Sequence, residues 1–378
     1  MEQRHYRVLH IFSGYGGGIS SLIINLIENK TDDFDFDVMA FSYKNGEKFI
    51  ERLEKVGSNV FEMPRPRVDG YKSFKNYVEK VMTENQYDAV HCHITGWSML
   101  PFYRMAKKAG IRNYFLHAHT TTYDRKLDRL YLVSGFNRFI NYKCASAFFT
   151  CSDLAANYIY GNYQRHRSTY LIPNGIEKEK FVEEITKQQR EQYKNEFGIK
   201  ENETILLHVG RFSPAKNHDF ILELIDALKR RGDEVKLLFV GDGELLEDVK
   251  GKTNSRGLQD KILFLGRRLD ISSVMQFSDI MILPSLYEGL PTVAVECQAT
   301  GTPMLLADHI TRQCDMGIGL LDFLPIDTIN LWLKAYDERK GKIDRNLALA
   351  AVEEHGFTSK MAGQEYCKRL KELIDRMG

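Results

Sequence analysis

The sequence predicts an α/β protein built from two Rossmann-like, doubly wound domains, and three observations carry that prediction. Short apolar runs alternate with amphipathic helical stretches in both halves, the pattern of parallel sheets flanked by helices. Glycine-bearing loops, Gly14-Tyr-Gly-Gly-Gly18 and Gly241-Asp-Gly243, follow a strand in each half. A strong turn signal, Pro173-Asn-Gly175, parts the halves, and 378 residues suffice for two domains of ordinary size. The boundary is placed near residue 177, giving an N-terminal domain 1–177 and a C-terminal domain 178–378.

Composition narrows the function. Hydrophobic residues make up 43% and charged residues 27%, ordinary values for a globular protein, and the formal net charge of +1 argues against a dedicated nucleic-acid binder. The cysteines, Cys92, Cys144, Cys151, Cys297, Cys314 and Cys367, form no C-x-x-C pair, which fits a reducing compartment. Residues 1–7 are polar and lack the apolar core of a signal peptide, and no apolar run is long enough to cross a bilayer. A cytoplasmic location is expected.

In the N-terminal half, residues 7–13 read as the first strand and about 19–28 as a helix, with the glycine loop between them. Gly16 and Gly17 are candidates for close approach of a phosphate or an acceptor; a plain tight turn is the alternative. A dinucleotide site would want an acid after the second strand, but the run 36–42 ends in Ser42. Residues 31–37 hold two D-x-D spacings, at the wrong end of a strand for a ligand site, and read as a solvated acidic turn. His91-Cys-His93 and His117-Ala-His119 each end a strand, and residues two apart share a face. Four imidazoles could bind zinc, but no carboxylate or usable cysteine completes the set, so no metal is expected. The stretch 127–149 is apolar and aromatic, with Arg125, Lys126, Arg129, Arg138 and Lys143 nearby or interleaved, and Arg104, Lys107, Lys108 and Arg112 add a second basic cluster. Two readings stand: a core helix with a solvated basic face, or peripheral contact with an anionic membrane at its inner face. Ser152 is placed to cap a helix from about Asp153.

In the C-terminal half, residues 204–210 form a strand, and Arg211 and Lys216 share the loop before a helix from about His218. A planar guanidinium and a compact ammonium on one such loop suit phosphate oxygens. The run 235–240 leads to Gly241 and Gly243, and 261–266 leads to Arg267-Arg268-Leu269. The buried run 280–283 precedes Glu288, Gly289, Leu290, Pro291 and Thr292, with Pro291 expected in the first turn of a helix that carries Glu296. Carboxylates would repel a diphosphate but accept hydrogen bonds from hydroxyls. Acids gripping sugar ends, with cations and amides between, therefore suit a sugar–diphosphate–nucleoside. Residues 358–377 form a last helix with an apolar stripe at Tyr366, Leu370, Leu373, Ile374 and Met377.

Glu288 and Glu296, seven residues between them, resemble the E-x7-E signature of retaining glycosyltransferases of family 4, which have the GT-B fold. Gly210-Arg211 with Lys216 resembles that family's G-R-x4-K element, and Pro173-Asn-Gly-Ile176 its domain crossing. The likeness is most specific from Ile205 to Pro303. It implies two domains facing across a cleft, with the last helix crossing back to the first. It further implies retaining transfer of a hexosyl or N-acetylhexosaminyl group from a nucleotide sugar, UDP-linked, without metal or other cofactor. The acceptor implied is a glycan or a polyprenyl-diphosphate-linked sugar, in exopolysaccharide or capsule synthesis. The implied catalytic set is His119, Glu288, Arg211 and Lys216. The implied donor-binding set is Gly16, Gly17, Arg211, Lys216, Gly241, Arg268, Glu288, Gly289, Leu290, Pro291, Thr292 and Glu296. The rivals are a UDP-sugar epimerase on the same plan and a non-catalytic binding subunit.

Overall fold

The computed structural model describes residues 4–15, 17–42, 46–121, 130–338 and 341–377. The chain forms two compact units, Met1–Gly175 with Gly356–Gly378, and Ile176–His355. The last helix therefore belongs to the first unit, and the second unit begins one residue after the Pro173-Asn-Gly175 turn.

In the first unit, strands β1 (Tyr6–Phe12), β2 (Phe34–Ala40), β3 (Val60–Glu62), β4 (Ala89–Cys92), β5 (Asn113–Ala118), β6 (Ala147–Thr150) and β7 (Thr169–Leu171) make one sheet. Its order is β3-β2-β1-β4-β5-β6-β7, with every pairing parallel. The order reverses between β1 and β4, where open α/β sheets bind ligands at their carboxyl ends. On one face, Tyr6, Val8 and Phe12 pack with Phe34, Phe36 and Val38, under Leu22, Ile23 and Leu26 of the Gly18–Glu28 helix. The Ser359–Met377 helix adds Tyr366, Leu370, Leu373 and Ile374 to that core. It lies so close to the first helix that a Cβ on Gly363 would stand 2.5 Å from the Asn29 carbonyl oxygen. Lys371 pairs with Asp33 at 2.6 Å, and the Tyr6 hydroxyl donates to Asp375 at 2.9 Å.

The acidic stretch is not the solvated turn expected of it. Asp35 is exposed, but Asp37 is 2% exposed. Its carboxylate pairs with Arg7 at 2.8 Å and accepts the Tyr87 hydroxyl at 2.7 Å and the Asn59 N–H at 2.9 Å. A buried charge persists only when its oxygens are met this way. Asp35 and Asp37 share a face of β2, and Asp37 is buried because Arg7, Asn59 and Tyr87 cover it, which a count of acids does not reveal.

In the second unit, strands β8 (Thr204–Val209), β9 (Val235–Val240), β10 (Ile262–Phe264), β11 (Ile280–Leu283), β12 (Met304–Ala307) and β13 (Leu321–Leu324) form a parallel sheet ordered β10-β9-β8-β11-β12-β13. The reversal falls between β8 and β11. Phe220, Ile221, Leu224 and Leu228 of the His218–Arg231 helix cover Leu206, Leu237 and Phe239, with Trp332 filling the same core. The Trp332 indole N–H donates to the Pro325 carbonyl at 2.8 Å, so a fully buried polar group is met.

Candidate active site

The second unit's reversal point is built from three loops. The loop after β8 and the loop after β9 meet backbone to backbone. A Cβ on Gly241 would sit 1.9 Å from the Gly210 carbonyl oxygen, and Gly241 holds φ +141°, a conformation that side chains resist. A Cβ on Gly243 would stand 2.4 Å from the Phe212 carbonyl oxygen. The loop after β11 is tied to the loop after β8. The Leu286 N–H donates to the Ala215 carbonyl at 2.7 Å, and the Asn217 amide donates to the Pro284 carbonyl at 3.1 Å.

These ties bring together two of the expected residues. Lys216 Nζ lies 2.6 Å from Glu288 Oε1, with side-chain exposures of 16% and 14%. Arg211 stands on the same loop but in solvent, 69% exposed, paired with Glu244 at 3.1 Å. Gly289 lies in the turn, and Leu290 and Pro291 are buried behind it. The helix spans Thr292–Ala299, so Pro291 precedes it as the N-cap instead of opening its first turn. Its carbonyl accepts the Ala294 N–H at 2.9 Å. Glu296 lies in this helix, half-buried, and burial pushes its carboxyl up to about 7, against a smaller opposing pull from Lys180 and a push from Glu177.

Arg268 is placed differently. Its guanidinium bonds Asp270 at 2.7 Å and Glu196 at 2.7 Å, and lies 5.3 Å from the Phe197 ring centre. The Arg268 hydrogen bond holds the Asp270 carboxyl down at about 2. This side chain braces its loop.

In the first unit, Gly17 is the N-cap of the Gly18–Glu28 helix, and a Cβ there would meet open space. Gly16 lies outside the described residues, as do Arg125, Lys126 and Arg129. Ser152 caps its helix by accepting the Ala155 N–H at 3.2 Å. His119 follows β5, half-buried, with Nε2 2.6 Å from His93 Nδ1. His93 Nε2 lies 3.0 Å from His10 Nδ1, and the Tyr366 hydroxyl bonds both His10 Nε2 and His91 Nδ1. Burial lowers His10 and His119 to about 3, and His91, His93 and His117 well below the ordinary imidazole range. All five rings are therefore neutral near pH 7.

His91, His93 and His117 each place a ring nitrogen within 4.8 Å of the others, so a metal deserves a test. Both His93 nitrogens are already hydrogen-bonded, and its ring is inclined only 11° to His91 and 26° to His117. Ligands of a tetrahedral site aim their lone pairs at one shared point, whereas His93 stacks on both His91 and His117. His10 and Tyr366 are absent from the sequence reading. His10 shares the alternation of Val8 and Phe12, and only the register His10–His91 reveals its neighbours.

Two doubly wound units, with charge gathered at the reversal point of the second, define the class. Among solved structures, Anabaena Alr3699/HepE in complex with UDP-glucose is similar with a TM-score of 0.75 and 19% identity, over 97% of this chain and 100% of that one. The fold is GT-B. Residues 16–180 match the family model described as Glycosyltransferase Family 4, and residues 189–316 the one described as Glycosyl transferases group 1. EpsF of Bacillus subtilis (strain 168), classed as a glycosyltransferase, is 33% identical over 347 residues, 88% of this chain and 87% of that one. The UDP-Gal:alpha-D-GlcNAc-diphosphoundecaprenol alpha-1,3-galactosyltransferase of Escherichia coli is 34% identical over 148 residues, 38% of each chain. The chain belongs to glycosyltransferase family 4 and is an enzyme of that type.

Proposed function

We propose that this protein transfers a sugar, with retention and without a metal, from a UDP-sugar to a glycan or polyprenyl-diphosphate-linked acceptor in cell-surface polysaccharide synthesis. The observation that carries the reading is the Lys216–Glu288 pair at the reversal point between β8 and β11. Lys216, with Arg211 on the same loop, supplies the positive charge that a departing diphosphate needs. Glu288 supplies acceptor oxygens for the hydroxyls of the sugar, and Glu296 for hydroxyls elsewhere on the donor. The bond from the anomeric carbon to the phosphate oxygen breaks as the acceptor hydroxyl bonds the same face. The acceptor's proton passes to the departing phosphate, and UDP leaves. His119 is assigned a hydrogen bond to the donor sugar. The UDP-glucose complex of the Anabaena protein and the lipid-linked acceptor named for the Escherichia coli enzyme support UDP and a lipid carrier.

No helix among the described residues is long and apolar enough to cross a membrane. Exposed Trp97 and Phe136, with ring centres 4.8 Å apart, and Lys143 over Phe139 support a peripheral contact with an anionic bilayer.

Two substitutions test the site. Glu288→Gln is expected to lower transfer roughly 100-fold and leave UDP affinity within about twofold, because UDP lacks the sugar. Lys216→Ala is expected to weaken UDP itself by about tenfold or more. Equal effects of both on UDP, measured by calorimetry, would overturn the assignment. Transfer that survives chelation supports the metal-free reading, and transfer restored only by a divalent cation refutes it.

A further inference from the structure

We propose that His93 is a positioning residue: through a dead-ended relay of buried imidazoles it holds His119 as the tautomer protonated at Nδ1, so that His119 acts as a hydrogen-bond donor. The inference rests on His119 belonging to the sugar site.

The relay runs His119 Nε2–His93 Nδ1, His93 Nε2–His10 Nδ1, His10 Nε2–Tyr366 hydroxyl, Tyr366 hydroxyl–His91 Nδ1. A neutral imidazole has one donor and one acceptor, and a hydroxyl can donate once. The hydroxyl can also accept twice, but a pattern in which Tyr366 accepts from both His10 and His91 leaves its own buried O–H without an acceptor and is set aside on that ground. With Tyr366 donating along the relay, fixing one link fixes the rest, and two polarities remain. In one, Tyr366 donates to His10, His10 to His93 and His93 to His119, and each imidazole carries its proton on Nδ1. In the other, every proton sits on Nε2.

The inner end decides between them. His91 Nε2 is buried without a hydrogen-bond partner among the described residues. Under the first polarity this atom is a lone pair lacking a donor; under the second it is an N–H lacking an acceptor. An orphaned buried N–H is the costlier of the two and the rarer in proteins. The first polarity wins, and His119 carries its proton on Nδ1. Burial supports this by keeping the rings neutral, so that no imidazolium donates at both nitrogens.

Nitrogen-15 NMR of histidine-labelled full-length protein tests the relay, because protonated and bare ring nitrogens resonate far apart. His10, His93 and His119 are expected to show one shared tautomer, protonated at Nδ1. A bare Nδ1 on any of the three overturns the proposal. His93→Ala opens space beside half-exposed His119 that water can fill, and water satisfies either tautomer. A shift of His119 to a mixture, with kcat lowered about tenfold and UDP affinity within about twofold, is expected. An unchanged tautomer in folded His93→Ala protein overturns it. Tyr366→Phe only moves the dry end to His10, so His119 should keep Nδ1–H; a mixture there also overturns it. Should either variant fail to fold, the wild-type spectrum decides alone. His119→Ala with full transfer would sink the site reading without touching the tautomer result.

Discussion

The two units share one strand plan, and their reversal points carry opposite chemistry. In the second, between β8 and β11, an ion pair of Lys216 and Glu288 stands on loops held by glycines, with Arg211 in solvent. In the first, between β1 and β4, His10 lies beside His91 in a stack of neutral rings sealed by Tyr366. This topology therefore supplies a location and no more. One unit places an ion pair there, the other a stack of buried neutral polar rings.

Substitution of the loop glycines should separate the two units most strongly. Gly241→Ala must move the Gly210 carbonyl and strain a left-handed φ, so a loss of about 3 kcal/mol or more, roughly 10 °C in unfolding midpoint, is expected. Gly17→Ala, at the glycine loop after β1 of the first unit, meets open space at an ordinary φ of −139°, so its effect is expected to be below about 0.5 kcal/mol. Comparable losses in both would show that the loops are built alike after all. Thermal unfolding of the two variants in parallel is the measurement.

Glu296 sharpens the contrast in charge. Burial raises its folded-state value to about 7 from 4.5, so the folded chain binds the proton more tightly than the unfolded chain does. The stability tied to this proton is complete below pH 4.5 and is lost as pH rises through about 7. Glu296→Gln escapes that loss. It should be more stable than the native chain at pH 8, by on the order of 2 kcal/mol, and equal to it near pH 4. Denaturant titration at the two pH values measures this. An equal offset at both would mean the carboxyl is not strained by burial, and its retention would then need no binding role to offset the strain.

What could be read from the residues divides along the same line. Strands, helices and glycine loops are local, so their periods stand in the sequence, as do Ser152 as a cap and, by motif, Lys216 and Glu288 as site residues, though not their pairing with each other. The histidine relay is not local. It joins β1, the segment after β4, the segment after β5 and the last helix, and Tyr366 reads only as one apolar position in a stripe. Asp37 fails for a related reason, since its three partners come from Arg7, Asn59 and Tyr87, far apart in the chain. Arg268 enters the donor-binding set by resemblance alone, and its brace is hidden because Glu196 stands 72 residues before it.

Arg268 gives the finest test, because it separates a residue that touches the ligand from one that shapes what does. Its fork is spent on Asp270 and Glu196, in geometry that a lysine ammonium cannot copy. Arg268→Ala and Arg268→Lys are both expected to cost about 1 kcal/mol of stability, since the pairs are partly exposed. UDP affinity should fall less than about tenfold, by loosening the loop, and should fall alike in both variants. If lysine instead restored affinity that alanine lost, positive charge at residue 268 would be contacting the nucleotide directly. The loop after β10 would then join Lys216 and Arg211 as a third source of charge in the second unit.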